Sequence, residues 1–78
     1  MKIDPRSYGY PVRKAGEWSV VEYGNGDRRY IRRDGRAMIT DFATSGVHYF
    51  PDPEREGERM PSLAAAKHKD FAIRRERA

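Results

Sequence analysis

Cysteine is absent from the 78 residues, and leucine occurs once, at Leu63. The first absence excludes disulfide staples and thiolate metal sites, and it fits a reducing compartment, so a cytoplasmic location is expected. The second leaves a thin aliphatic supply of four valines and four isoleucines. Burial must then come from Trp18, the five tyrosines, the three phenylalanines and the alanines, in an aromatic-centred core with tyrosine hydroxyls at its rim. Long apolar runs are missing as well. The N-terminal Met1-Lys2-Ile3-Asp4-Pro5-Arg6 lacks a signal-peptide core, and no stretch is long enough to cross a bilayer, so no membrane partner is expected. At this length there is no room for a second domain, and 1–78 reads as one unit.

Lysine is scarce where arginine is not. Arginine outnumbers it twelve to four, and five of the twelve fall between Arg28 and Arg36. A guanidinium presents a planar fork that grips phosphate or carboxylate with two bonds and stacks on aromatic rings, whereas an ammonium is a hydrated point charge. The chain is therefore composed for binding. Its net charge of +4 and pI near 9.7 make it a basic protein and favour acidic partners. Charges of both signs together with 12% aromatic residues argue for a folded chain.

Residues 1–16 hold Pro5, Gly9, Pro11 and Gly16, too interrupted for a helix, and read as an extended arm whose Tyr8 and Tyr10 pack on a sheet. From Glu17 to Tyr23 the residues are β-branched and aromatic. Gly24-Asn25-Gly26-Asp27 then supplies a turn, Arg28 to Arg33 a second strand, Asp34-Gly35 a two-residue turn, and Arg36 to Phe42 a third strand. Val47 to Phe50 reads as a short fourth strand, closing a sheet over 17–50. Residues 51–61 carry prolines and alternating acids without periodicity and read as an exposed loop. Ser62 can cap a helix over 62–76, with Arg74, Arg75 and Arg77 at the negative end of its dipole. The expected fold is α+β: a three- to four-stranded antiparallel meander with an extended N-terminal arm and one C-terminal helix. On that helix Leu63, Ala64 and Phe71 lie together, while Ala66 and Ile73 form a separate facet with Asp70 and Arg74 between them. One facet covers the sheet; the other is a partner surface or a frayed end.

A two-residue turn at Asp34-Gly35 sets Arg33 opposite Arg36, Ile31 opposite Met38 and Arg29 opposite Thr40. Arg29, Arg33 and Arg36 then share a face that an anionic group would cover, with Arg32 nearby and Tyr30 and Tyr49 at its edge as aromatic anchors. The same residues also read as a solvated face offset by Asp27, Asp34 and Asp41. Arginine interleaved with tyrosine and tryptophan suits nucleic-acid stacking and protein interfaces alike. His48 and His68 fall in no metal-ligand pattern, and the acids Asp52, Glu54, Glu56 and Glu58 lack the calcium-loop spacing. No catalytic residue, metal, cofactor or small-molecule substrate is expected.

Trp18-Ser19-Val20, Leu63-Ala64-Ala65-Ala66 and Asp70-Phe71-Ala72, in a sheet-then-helix order, resemble the DNA-binding modules of plant AP2-type factors and of phage integrase arm-binding domains. That resemblance implies a sheet in the major groove, with Arg29, Arg33 and Arg36 as reading residues. The segment from Thr44 to Pro61 departs from the pattern. A second resemblance, of build alone, is to small phage and mobile-element proteins of the anti-CRISPR type. It implies a non-enzymatic inhibitor or modulator that blocks nucleic-acid binding by occupying a nucleic-acid channel or a subunit surface of a nucleic-acid-handling complex. The near balance of sixteen basic and twelve acidic residues favours this protein target over duplex DNA, the alternative partner. A monomer or weak dimer is expected.

Overall fold

Glycine at positive φ closes three of the turns that divide this chain into strands: Gly26 at 93°, Gly35 at 75° and Gly46 at 80°. The computed structural model describes residues 9–15 and 17–77. Their order is β1 (Gly9–Ala15), β2 (Trp18–Tyr23), β3 (Arg28–Arg32), β4 (Met38–Phe42), β5 (Gly46–Phe50), β6 (Glu58–Met60) and α1 (Leu63–Arg77). All six strands lie in one sheet in sequential order, each antiparallel to the next, and α1 packs over β4, β5 and β6. The expected α+β meander with a C-terminal helix is what forms.

The sheet is wider than the sequence suggests. Part of the anticipated arm is β1, paired to β2 with a register shift between Pro11 and Arg13. An edge strand with a bulge tolerates the proline that a central strand would not. The rest of the arm, residues 1–8 and 16, lies outside the described residues, as does the anticipated packing of the Tyr8 and Tyr10 side chains. At the other edge, the acidic loop ends in β6, where Met60 pairs with Val47 and Glu58 with Tyr49. Gly57 makes this return fit, because a Cβ there would stand 2.7 Å from the Phe50 ring.

Turn chemistry also fixes the register of the central strands. Ile31 lies opposite Met38 and Arg29 opposite Thr40, as the Asp34-Gly35 signal implies. The loop is longer than two residues, however. Arg32 N–H donates to the Ala37 carbonyl at 2.9 Å and Gly35 N–H to the Arg32 carbonyl at 2.7 Å, so Arg33 and Arg36 leave the ladder. In the preceding turn, Asp27 Oδ1 accepts from Ala43 N–H at 2.8 Å and joins it to the β4–β5 turn. Ser62 Oγ accepts from Ala65 N–H at 3.1 Å and caps α1 as expected.

One face of the sheet carries the core. Cross-strand neighbours Val20, Tyr30, Ile39 and Tyr49 form a continuous buried row, flanked by Trp18, Ala37 and Val47 and covered by Ala66 of α1. The core is aromatic-centred, but the Tyr49 hydroxyl is buried inside it rather than held at the rim. The facet of α1 that docks is Leu63, Ala66, Asp70 and Ile73, and Phe71 stays exposed. Trp18 is 4% exposed, so Trp18→Ala should cost about 3 to 5 kcal/mol. That is much of the stability of a domain this small, and the urea midpoint should fall accordingly; a parental midpoint would contradict the packing described.

Candidate functional site

Helix α1 places an aspartate where an amphipathic helix would place a leucine. Asp70 is 1% exposed, and a carboxylate so buried requires charged or hydrogen-bonding partners. Its Oδ1 accepts from Arg32 Nη1 at 2.6 Å and from the Tyr49 hydroxyl at 2.7 Å. Its Oδ2 lies 3.1 Å from Arg74 Nε, an ion-pair contact off the hydrogen-bond line. Strand β3 points Arg32 at the helix because Arg32 shares the core face with Tyr30, two residues earlier.

The network extends to both ends of the site. Arg32 Nε donates to Asp34 Oδ1 at 2.8 Å, and the same oxygen accepts from Arg36 N–H at 2.9 Å, which shapes the β3–β4 loop. Arg74 grips Glu17 with two bonds, Nη1 to Oε2 at 2.9 Å and Nη2 to Oε1 at 2.8 Å. Glu17 in turn accepts from Arg33 N–H through its backbone carbonyl at 2.7 Å. Burial opposes the charge on Arg32, but its bonds to Asp34 and Asp70 outweigh that and raise its pKa. Burial, and then the bond to Asp70, push the Tyr49 phenol up, so it stays protonated and donates. The Arg32 bond, followed by that from Arg36 N–H, holds the Asp34 carboxyl below its ordinary value.

A pocket of about 290 Å³ opens beside this network. The β3–β4 loop lines it with Arg32, Asp34 and Arg36, and the C-terminal half of α1 with Asp70, Ile73, Arg74 and Arg77. Tyr49 and Pro51 close it from the end of β5. Chemically, it is a cationic mouth on an ion-paired floor.

The six residues singled out in the sequence do not form one surface. Tyr30 and Tyr49 are buried in the core rather than standing at an edge, since this chain has few aliphatics to fill it. Arg32 is buried on the same core face. Arg29 is on the opposite face, with its guanidinium 5.6 Å from the Tyr23 ring centre. Arg33 and Arg36 are exposed on the loop. Around Arg29, the face away from the helix carries Val21, Tyr23, Ile31, Met38, Phe42 and Phe50, all half-buried. Asp70, Arg74 and Arg77 escaped the sequence reading as site residues. The available signal was an acid on a helix facet between Ala66 and Ile73 and an arginine on the core face of a strand.

His48 Nε2 lies 3.3 Å from the Ser45 carbonyl oxygen, and its ring meets Phe42 edge-on. Among the described residues, no cluster of three or more His, Cys, Asp or Glu side chains is placed to hold a metal, and no helix is long and apolar enough to cross a membrane. Compared with protein-family models, curated proteins and solved structures, the chain matches none. What the site does is therefore a matter of its own side chains.

Removing one partner from a buried ion pair costs about 3 to 5 kcal/mol, while replacing the whole set by apolar groups of similar volume is often neutral. Asp70→Ala should therefore destabilise by that amount, and the triple variant Arg32→Met, Tyr49→Phe, Asp70→Leu should recover most of the loss. Urea unfolding of both checks this, and equal losses would deny the coupling. A second expectation concerns acid. Because the folded-state pKa of Asp34 is depressed, its contribution is present above the usual aspartate value and lost as pH falls through the depressed one. Asp34→Asn should flatten that part of the stability profile, below about pH 4, and leave the profile near neutrality parallel to the parent.

Proposed function

We propose that this chain is a non-enzymatic binding protein that docks on an acidic surface of a protein subunit in a nucleic-acid-handling assembly. The observation that carries this reading is the division of its arginines. Arg28, Arg32, Arg55 and Arg74 are paired with the chain's own acids. Arg36 and Arg77 line one pocket, with Arg33 exposed on the same loop as Arg36, and none of the three has an acidic side-chain partner among the described residues; Arg75 lies beside the exposed Phe71 elsewhere on α1. Exposed arginines of this kind, with an exposed aromatic ring on the same helix, are the composition of interface anchors.

Catalysis finds little support in the same geometry. Asp70 faces Arg32, Tyr49 and Arg74, and the Tyr49 phenol donates instead of attacking, so neither is placed as a free base or nucleophile. Direct duplex reading through the sheet is favoured less than a protein target, because, among the side chains described in β2–β6, the face away from the helix sets Arg29 and Arg59 among six apolar side chains. In its fullest form the proposal is an inhibitor of the anti-CRISPR type, which adds the resemblance in build to the anchor chemistry.

Affinity for random duplex DNA at physiological salt should stay in the non-specific range, about 10⁻⁴ to 10⁻⁶ M. A partner captured from a bacterial lysate should survive nuclease. The double reversal Arg33→Glu, Arg36→Glu should shift stability by less than about 0.5 kcal/mol and weaken capture by about 2 kcal/mol or more. Nanomolar, sequence-dependent binding to free DNA would overturn the proposal, as would normal capture by the reversed variant.

A further inference from the structure

The pocket beside the Asp70 network has two arginines without acidic partners. Arg36 reaches it from the β3–β4 loop, its backbone N–H bonded to Asp34 and its charge near that carboxylate without a direct ion-pair contact, and Arg77 from the last turn of α1. Neither guanidinium makes an ion pair among the described residues. The other two arginines of the pocket are held in place, Arg32 by Asp34 and Asp70, and Arg74 by Glu17 and Asp70. The floor is thus ion-paired, while the mouth is cationic and open.

We propose, building on the protein target argued above, that this pocket receives a single side-chain carboxylate from an acidic segment of the partner, gripped by Arg36 from the loop and Arg77 from the helix. An arginine fork fits carboxylate and phosphate equally well, so charge decides between them. Four arginines face Asp34, Asp70 and the Glu17 that holds Arg74, which leaves a surplus of one positive charge. A carboxylate brings one negative charge and a phosphomonoester nearly two. The second charge would stand against Asp34 and Asp70, whose buried Oδ2 already lacks a hydrogen-bond donor. Pro51 and Ile73 add apolar wall beside the mouth, which suits the methylene stem of a glutamate.

The test uses the full chain and three labelled probes read by fluorescence anisotropy: a capped peptide of alternating glutamate and glycine, the same peptide with phosphoserine for glutamate, and a single-stranded oligonucleotide of matched length. The glutamate peptide should bind, and Arg36→Ala with Arg77→Ala should weaken it at least about tenfold, the effect of one charge-assisted hydrogen bond. Arg36→Lys with Arg77→Lys keeps the charge, removes the fork and should weaken it as well. Circular dichroism melts matching the parent would show that these exposed changes leave the fold alone. Tighter binding of the phosphopeptide or oligonucleotide through the same two arginines would overturn the carboxylate assignment. Unchanged binding in the lysine variant would reduce the grip to general charge attraction and overturn the pocket. Nuclease-resistant capture of a partner together with no binding of the glutamate peptide would overturn the pocket alone and leave the protein-binding function standing.

Discussion

A buried carboxylate decides how the helix lies on the sheet. Turning α1 to bury Phe71 would gain about 1.5 to 3 kcal/mol of apolar transfer. The same turn would draw Asp70 away from Arg32 and Tyr49 and leave a guanidinium that is 8% exposed without its buried partner, at a cost of about 3 to 5 kcal/mol. The loss of the ion pair outweighs the apolar gain, so Phe71 stays in solvent between Arg74 and Arg75. With one leucine in the chain, the apolar contribution of the docked facet is modest: Leu63, Ala66 and Ile73. The polar network supplies the orientation that so thin a facet could not.

The central sheet was legible because its signals are local. Gly24 to Asp27 and Asp34-Gly35 are turn chemistry, and once they are placed, alternation sets Ile31 against Met38. What was not legible depends on partners distant in sequence. β6 is three residues long and exists because β5 offers an edge and Gly57 passes under Phe50. β1 carries a proline that reads as a break until the strand is known to be an edge. The docking facet of α1 was hidden because periodicity scores Asp70 as polar; a buried acid becomes readable only when matched to Arg32 on the core face of β3. The six residues singled out in the sequence separate for the same reason. Counting arginines finds Arg33 and Arg36, which are exposed, and Arg32, which is not, and gives no weight to Arg77, far away in sequence.

Arginine in this chain does two kinds of work, and the fold separates them by access to acids. Where a strand or helix faces inward, the guanidinium binds to more than one oxygen, as Arg32 does with Asp34 and Asp70 and Arg74 with Glu17. Lysine could not replace it there, since an ammonium cannot span two carboxylates in a plane. Where the chain turns outward, at Arg33 and Arg36 of the β3–β4 loop and at Arg77 near the end of α1, the guanidinium makes no ion pair among the described residues. The excess of arginine over lysine thus has a structural cause, and the proposed docking draws on the same side chain at one place.

That place is common to both because Asp34 and Asp70 belong to the architecture and to the pocket. Asp34 shapes the loop that presents Arg36, and Asp70 fixes the helix that presents Arg77. Neither outward arginine can be positioned without the inward pairs, since the loop and the helix are joined through Arg32. The acids that perform this joining also lower the positive charge of the pocket. Stability and the charge of the mouth are therefore set by the same oxygens, and a change that loosens the fold at Asp70 alters the electrostatics of the mouth as well.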